Sequence, residues 1–527
     1  MKDRFVDPFG KDVTRYGFIR AAACWLGSMG GALVLAGCSL APSFDRPALP
    51  VAAAYPAIPL SATPQSADRA EETEENRMTA AAAMAWQAYF LDPHLQALIR
   101  QALANNRDLR TAMLRVEEAR ALYGIQRADQ LPGIAATANG SRARVPGDLN
   151  LSGQSIVTSQ YQAGAGLATW ELDFWGRVRN LKDAALENYL ATDEARRAIT
   201  LSLIGQVADS YLGLRELDQR IALARQTIAT REESLRIFSR RFEVGAIAKM
   251  DLVQVEVLLQ QAQTLAAQLE QARAAQAHAL TLLVGAPSPT QVQIPENTDF
   301  SDDAIARAVR VGLPSDLLLQ RPDIVAAEHQ LRAAQANIGA ARAAFFPRIT
   351  LTGSAGTASA ELNGLFDSGS RAWSFLPSLS LPIFDAGRNR ASLDLAQVRS
   401  SLAVANYEKT IQAAFRDVSD ALSARHWLTE QVRIAQATLA AQAERARLSQ
   451  LRYDNGSAPY FEVLDAQRDL LTAEQQLVQT RRALHSSRVS LYTALGGGSQ
   501  EFVAPAAAAT ARQIENGNYG TNDGTSP

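Results

Sequence analysis

The chain is poor in the residues that build chemistry. Among 527 residues there are two cysteines and five histidines, too few for a disulfide framework or a Cys/His metal cluster. The histidines His94, His278, His329, His426 and His485 are scattered without ligand spacing. A formal charge of −2 excludes the basic footprint of a nucleic-acid binder, so no nucleic-acid partner is expected. No run of eighteen apolar residues follows Cys38, which leaves a closed β-barrel as the only way for this part of the chain to cross a bilayer. Neither a Gly-x-Ser-x-Gly elbow nor a phosphate-cradling glycine loop occurs, and the expectation is a protein that is no enzyme and carries no cofactor.

The most informative absence is local. Arg388 to Asn455 holds 68 residues without one Gly or Pro, between Pro382 and Gly387 on one side and Gly456 and Pro459 on the other. At 1.5 Å per residue this predicts one helix about 100 Å long, far beyond what a globular core buries. Arg177 to Val244 has the same length, interrupted only by Gly205 and Gly213. A shift of 211 residues superposes the two, matching Gly176 with Gly387, Val207 with Val418, Gly245 with Gly456, Asp251 with Glu462 and Gly285 with Gly496. The chain is therefore an internal two-fold repeat. In the first copy Val207, Leu214, Ile221, Ile228, Leu235 and Phe242 recur every seventh residue, the pattern of a coiled-coil seam.

Residues 1–37 carry five basic side chains and then the apolar run Ala21 to Ala36, the layout of an export signal. Leu35-Ala36-Gly37-Cys38 resembles a bacterial lipobox, which implies a covalent lipid on Cys38, and by the same resemblance to bacterial lipoproteins Ser39 favours sorting to the outer membrane. The expected domains are the signal peptide 1–37, an extended segment 38–90, repeat 1 over 91–300, repeat 2 over 301–500, and a disordered tail 501–527. Each repeat runs helix, β-hairpin, long helix, return helix and waist segment. The opening helices are expected over Asp92–Gln130 and Ser315–Phe346.

Between Pro132 and Gly176, and between Pro347 and Gly387, the composition turns to Gly, Ser, Thr and aromatics. Trp373, Phe375, Leu379, Leu381 and Ile383 share one parity against Ser374, Ser378 and Ser380, and Tyr161, Ala163, Ala165 and Leu167 alternate in the same way. Two hairpins of strands near ten residues follow, lengths that cross a bilayer at a tilt. Four strands do not close a membrane barrel, which needs about eight, and open edges are forbidden in lipid. The chain must therefore oligomerise.

Several motifs carry a resemblance: Cys38-Ser39-Leu40 with Asp45-Arg46-Pro47, Leu313-Pro314-Ser315-Asp316-Leu317 running on to Gln320-Arg321-Pro322-Asp323-Ile324, Ile338-Gly339-Ala340-Ala341-Arg342, and Val463-Leu464-Asp465-Ala466-Gln467. With them the chain resembles the TolC-like outer-membrane efflux proteins, in the OprM-like lipoprotein branch also called the NodT family. The resemblance implies a mixed α/β membrane protein. In it a homotrimer builds one 12-stranded β-barrel, four strands per chain, above a coiled-coil tunnel of long helices reaching through the periplasm. It also implies a periplasmic adaptor, an inner-membrane efflux pump of the proton-driven class and outer-membrane lipid as partners, with the channel a passive exit duct. Type I secretion and metal-ion efflux use similar ducts. A non-conducting spacer lipoprotein would share the helices but has no use for single-faced apolar strands.

At the turns after the long helices, Phe461, Glu462 and Asp465 project from neighbouring positions of one return helix, while Asp251, preceded by Lys249, takes the place of Glu462 in the other. Acids also suit helix starts for their own sake, because the helix dipole favours them there. The resemblance assigns this tip to a periplasmic gate, with Tyr453, Phe461 and Asp465 closing the aperture and Asp251 a partner in the closing network. It departs from the family at Ala458, where TolC-type channels place a basic latch, and Lys249 is the expected substitute.

Overall fold

A computed structural model describes residues 39–52, 54–55, 81, 84–149, 153–285, 306–307, 309 and 321–498. Cys38, the signal peptide 1–37, most of both waist segments, residues 315–320 and the tail 501–527 lie outside the described residues. The order of elements is α1 (Pro93–Asn105), α2 (Arg107–Ala128), β1 (Ile134–Val145), β2 (Ile156–Glu171), α3 (Arg177–Glu243) and α4 (Lys249–Val284). Then come α5 (Pro322–Ala343), β3 (Arg348–Ser359), β4 (Arg371–Ser380), α6 (Arg388–Asp454) and α7 (Tyr460–Ala494). The order helix, hairpin, long helix, return helix occurs twice, and both long helices hold 67 residues.

The same devices bound both long helices. Gly176 and Gly387 precede them with φ of 72° and 84°, and Gly245 and Gly456 follow them with φ of 77° and 71°, a region that side chains other than glycine's rarely adopt. Ala246 N donates to Arg241 O at 2.8 Å and Ser457 N to Arg452 O at 2.8 Å, closing equal left-handed caps. The two glycines inside α3 have a packing reason. A Cβ on Gly205 would lie 3.0 Å from Thr493 Cγ2 on α7, and one on Gly213 would lie 3.2 Å from Gln276 Nε2 on α4. Close helix approach offsets the roughly 1 kcal/mol that each glycine costs a helix.

Three expectations need correction. The helix from Asp92 to Gln130 is broken at Asn106, whose backbone is extended. The Asn106 side chain accepts from Leu109 N at 2.9 Å and donates to Leu283 O at 2.9 Å, so one amide caps the start of α2 and the end of α4. Asp92 itself caps α1 through His94 N at 2.8 Å, and its other oxygen accepts from the Tyr211 hydroxyl at 2.6 Å. Second, within the single chain the buried column changes along α3: Val207, Leu214 and Ile221 are buried, but Phe242 is exposed, and the buried positions beyond Ile221 are Ala224, Arg231, Ser234 and Phe238. A straight helix drifts by about 20° per heptad against a seven-residue repeat, which hands burial to the neighbouring column. Third, β2 has 16 residues rather than about ten.

The strands form one antiparallel sheet in the order β1-β2-β3-β4. Ile134 pairs with Leu167, Tyr161 with Ser359 and Arg348 with Ser380, and a register shift between Leu167 and Trp170 takes up part of the extra length of β2. β1 and β4 are left as edges within the chain. On β4, Trp373, Phe375 and Leu379 are all exposed. No described helix is long and apolar enough to cross a membrane.

The chain divides into two compact units, each drawing on both repeats. One holds the described residues up to Arg46 with Ala119–Tyr189 and Gln330–Val404, and so contains all four strands. The other holds Pro47–Glu118, Leu190–His329 and the described residues from Ala405 on, and contains both helix tips. Its core centres on Tyr89, Phe90, Ile204, Val207, Tyr211 and Tyr492. Tyr89 and Tyr492 stack at 3.9 Å, and their hydroxyls donate to Arg488 O and Met84 O, both at 2.8 Å. Burial pushes the Tyr89 and Tyr211 hydroxyl pKa values upward, and Asp92 adds to the rise at Tyr211.

Candidate gate at the helix tips

The tip of the second repeat is an ionic cluster built by the antiparallel register of α6 and α7. Arg452 and Glu462 stand five residues either side of Ser457 and meet at 2.7 Å. Arg445 and Asp469 stand twelve either side and meet at 2.5 Å. Arg445 also reaches Asp465 at 2.6 Å, and Arg468 bonds both Asp465 and Asp469. The hydrogen bond from Arg445 holds the Asp469 carboxyl below its ordinary range.

The first tip resolves the same positions differently. Asp251 turns back on its own helix and accepts from Ala248 N at 3.3 Å. At the matching place in the second repeat stands Pro459, which has no N–H, so Glu462 is left to the Arg452 side chain. Arg241, the counterpart of Arg452, finds its acid engaged and instead donates to the Tyr453 hydroxyl at the end of α6. Its guanidinium lies over the Tyr453 and Phe238 rings at 5.9 and 5.7 Å. Tyr453 also lies 4.8 Å from Tyr460, whose hydroxyl donates to Ser234 Oγ at 2.9 Å. Beneath these contacts Phe238, Val255 and Leu464 form a small buried cluster.

The expected residues are thus brought together in part. Lys249, Phe461 and Asp465 line one cleft of about 520 Å³ between α4 and α7. Tyr453 is tied to the first repeat, but through Arg241 and not through Asp251, which makes no hydrogen bond to Tyr453. Lys249, the expected substitute for a basic residue at Ala458, forms no ion pair within the chain among the described residues, and it lines the cleft beside Phe461 and Asp465. Reading for acids missed the cations Arg241, Arg445, Arg452 and Arg468. Folding the sequence about Ser457 would have found two of them, because it sets each arginine opposite its carboxylate. No group of three or more described His, Cys, Asp or Glu residues has the arrangement to hold a metal ion.

Four strands with open edges, two 67-residue helices and paired tips define a class of protein, a membrane channel shared between several chains. The sequence profile described as "Outer membrane efflux protein" matches residues 98–286 and 313–497, one stretch in each repeat. The chain belongs to the outer membrane efflux protein family. It is 43% identical over 470 residues to the antibiotic efflux pump outer membrane protein ArpC of Pseudomonas putida, covering 89% of this chain and 94% of that one. To outer membrane protein OprJ of Pseudomonas aeruginosa it is also 43% identical, covering 89% and 95%. Among solved structures, the open state of the MtrE outer membrane channel of Neisseria gonorrhoeae superposes with a TM-score of 0.76 at 38% identity, covering 88% of this chain and 99% of the other. The protein is an efflux channel of the outer membrane, in which three chains contribute four strands each to one barrel and the long helices form the periplasmic tunnel.

Proposed function

We propose that this chain is the exit duct of a three-part pump that exports antibiotics and similar apolar compounds. A proton-driven inner-membrane pump supplies the energy, a periplasmic adaptor joins it to the duct, and the duct itself catalyses nothing. The observation that carries the reading is the 43% identity, over 89% of the chain, to an antibiotic efflux pump outer membrane protein. Cys38 carries the covalent lipid. The tip cluster of Tyr453, Phe461, Glu462 and Asp465, with Arg241, Arg445, Arg452 and Arg468, is the gate. In the trimer each becomes a ring of three, and Phe461, which is exposed in the single chain, narrows the opening.

Expression with a matched adaptor and pump in a strain lacking its own duct should restore antibiotic resistance, and labelled palmitate should enter the protein at Cys38. Restored export of a protein or a metal ion without any drug resistance would overturn the substrate assignment. For the gate, Phe461→Ala combined with Tyr453→Phe should raise single-channel conductance in a planar bilayer. Unchanged conductance in an assembled trimer would place the constriction elsewhere.

A further inference from the structure

The segment that follows Cys38 has a built seat on the unit that holds the strands. The Ser39 hydroxyl donates to Asn180 Oδ1 at 3.0 Å, Arg342 donates to Leu40 O at 3.0 Å, and the Arg332 guanidinium lies 4.5 Å from the centre of the Phe44 ring. Asn180 is buried in the first turn of α3. Gly339 of α5 leaves the room: a Cβ there would stand 2.8 Å from Ala41 N and 2.5 Å from Asn180 Nδ2, closer than real Cβ atoms come. The counterpart of Gly339 in the first repeat, Gly124 of α2, has nothing within 4 Å of its Cβ position. The opening helices of the two repeats match in sequence, and one of them has been shaped around the N-terminal segment.

We propose that this seat fixes where the lipid enters the membrane, and that fixing it there speeds closure of the barrel. The inference rests on the assignment of the lipid to Cys38. A loose tether of some seventeen residues, from Cys38 to Tyr55, would let the lipid wander by about 20 Å, on the order of two thirds of the hydrocarbon thickness. With Ser39 seated, Cys38 is one peptide away and stays within about 4 Å of it. Asn180 follows Glu171, the last residue of β2, by nine residues, and Arg342 precedes Arg348, the first residue of β3, by six. The seat therefore sits next in sequence to the strand ends, and a lipid held there positions the sheet at the membrane surface. Each chain carries two open edges, β1 and β4, that only neighbouring chains can pair. Holding three sheets at one depth raises the effective concentration of those edges for each other.

The test uses the full-length lipoprotein in outer membranes, with a nitroxide on Ser43→Cys as a reporter; the signal cysteine is gone and Cys38 is acylated, so the label is unique. Gly339→Leu should leave palmitate incorporation unchanged, free the label and slow the appearance of heat-resistant trimer on the order of tenfold. Asn180→Ala, which adds no bulk, should do the same to a smaller degree, while Gly124→Leu should behave as the parent. On a Cys38→Ser background, Gly339→Leu should cause no further slowing. An immobile label in Gly339→Leu, equal slowing by Gly124→Leu, or full slowing without the lipid would each overturn the proposal. A parent chain that takes up no palmitate would instead remove the lipid assignment, and is read separately.

Discussion

At the ends of α3 and α6 the chain makes the same glycine turn, yet Arg241 and Arg452, placed 211 residues apart, reach different partners. Arg452 stays within its own hairpin on Glu462, whereas Arg241 crosses to Tyr453 of the other repeat. Two positions differ: Ala248 has an N–H that the short Asp251 accepts, whereas Pro459 has none and the longer Glu462 reaches Arg452. The second tip also holds Arg445, Asp465 and Asp469 where the first has Ser234, Gln254 and Leu258. Duplication thus supplied two equal backbones, and divergence kept the arginine of one turn inside its own hairpin and sent the other across to its neighbour.

The largest expected effect comes from cutting the crossing contact. Arg241→Ala should raise single-channel conductance several-fold by releasing Tyr453, while Arg452→Ala, which cuts a bond inside one hairpin, should raise it by a much smaller factor. Equal responses would erase the distinction between the tips. Next in size is a packing effect in the long helices. Gly205→Leu should destabilise the trimer by about 1–3 kcal/mol in a thermal melt, because Thr493 already stands against that position, and Arg416→Leu at the matching exposed site should change stability by about 0.5 kcal/mol or less.

A smaller effect should follow from Ala248→Pro, which removes the N–H that engages Asp251. Arg241 should then turn to Asp251, and conductance should rise less than in Arg241→Ala. Asp251→Ala alone should cost about 0.5–1 kcal/mol as a lost cap and leave conductance unchanged. The smallest effect is one of pH. The Asp469 pKa is lowered on folding, so its contribution is complete above its unfolded value near 4 and is lost as pH falls through the lower folded value. Proteolysis between pH 5 and pH 3 should therefore loosen the second tip more than the first, and Arg445→Gln should flatten the difference.

Much of this was legible in residue spacing. The long helices end within one residue of expectation because glycines with positive φ bound them, and a positive φ is written in the residue type. The strands of the second hairpin came from their alternation. The break at Asn106 was not legible, since asparagine is tolerated inside helices and only the nearby end of α4 gave its amide a second task. The cations of the tip were missed because arginines are common on helix surfaces, and each becomes specific only when the register sets a carboxylate opposite. Arg231 shows the same limit. In the sequence it is one more charge on α3, but in the fold it is buried, and that burial depresses its pKa.

By itself the sequence determined the duplication, the helix lengths, the four strands and the need for neighbouring chains, because each follows from local backbone preference or from a periodicity that one strand or helix carries alone. Tertiary structure decided which arginine meets which acid, why Gly339 leaves no room for a side chain and Gly205 little, and where the segment after Cys38 is seated. The arginine–acid pairs of the tip need the hairpin register, and the Arg241–Tyr453 contact, the tight approach at Gly339 and the seat of Ser39 and Leu40 need residues more than a hundred positions apart brought within about 3 Å, a distance that no local pattern encodes.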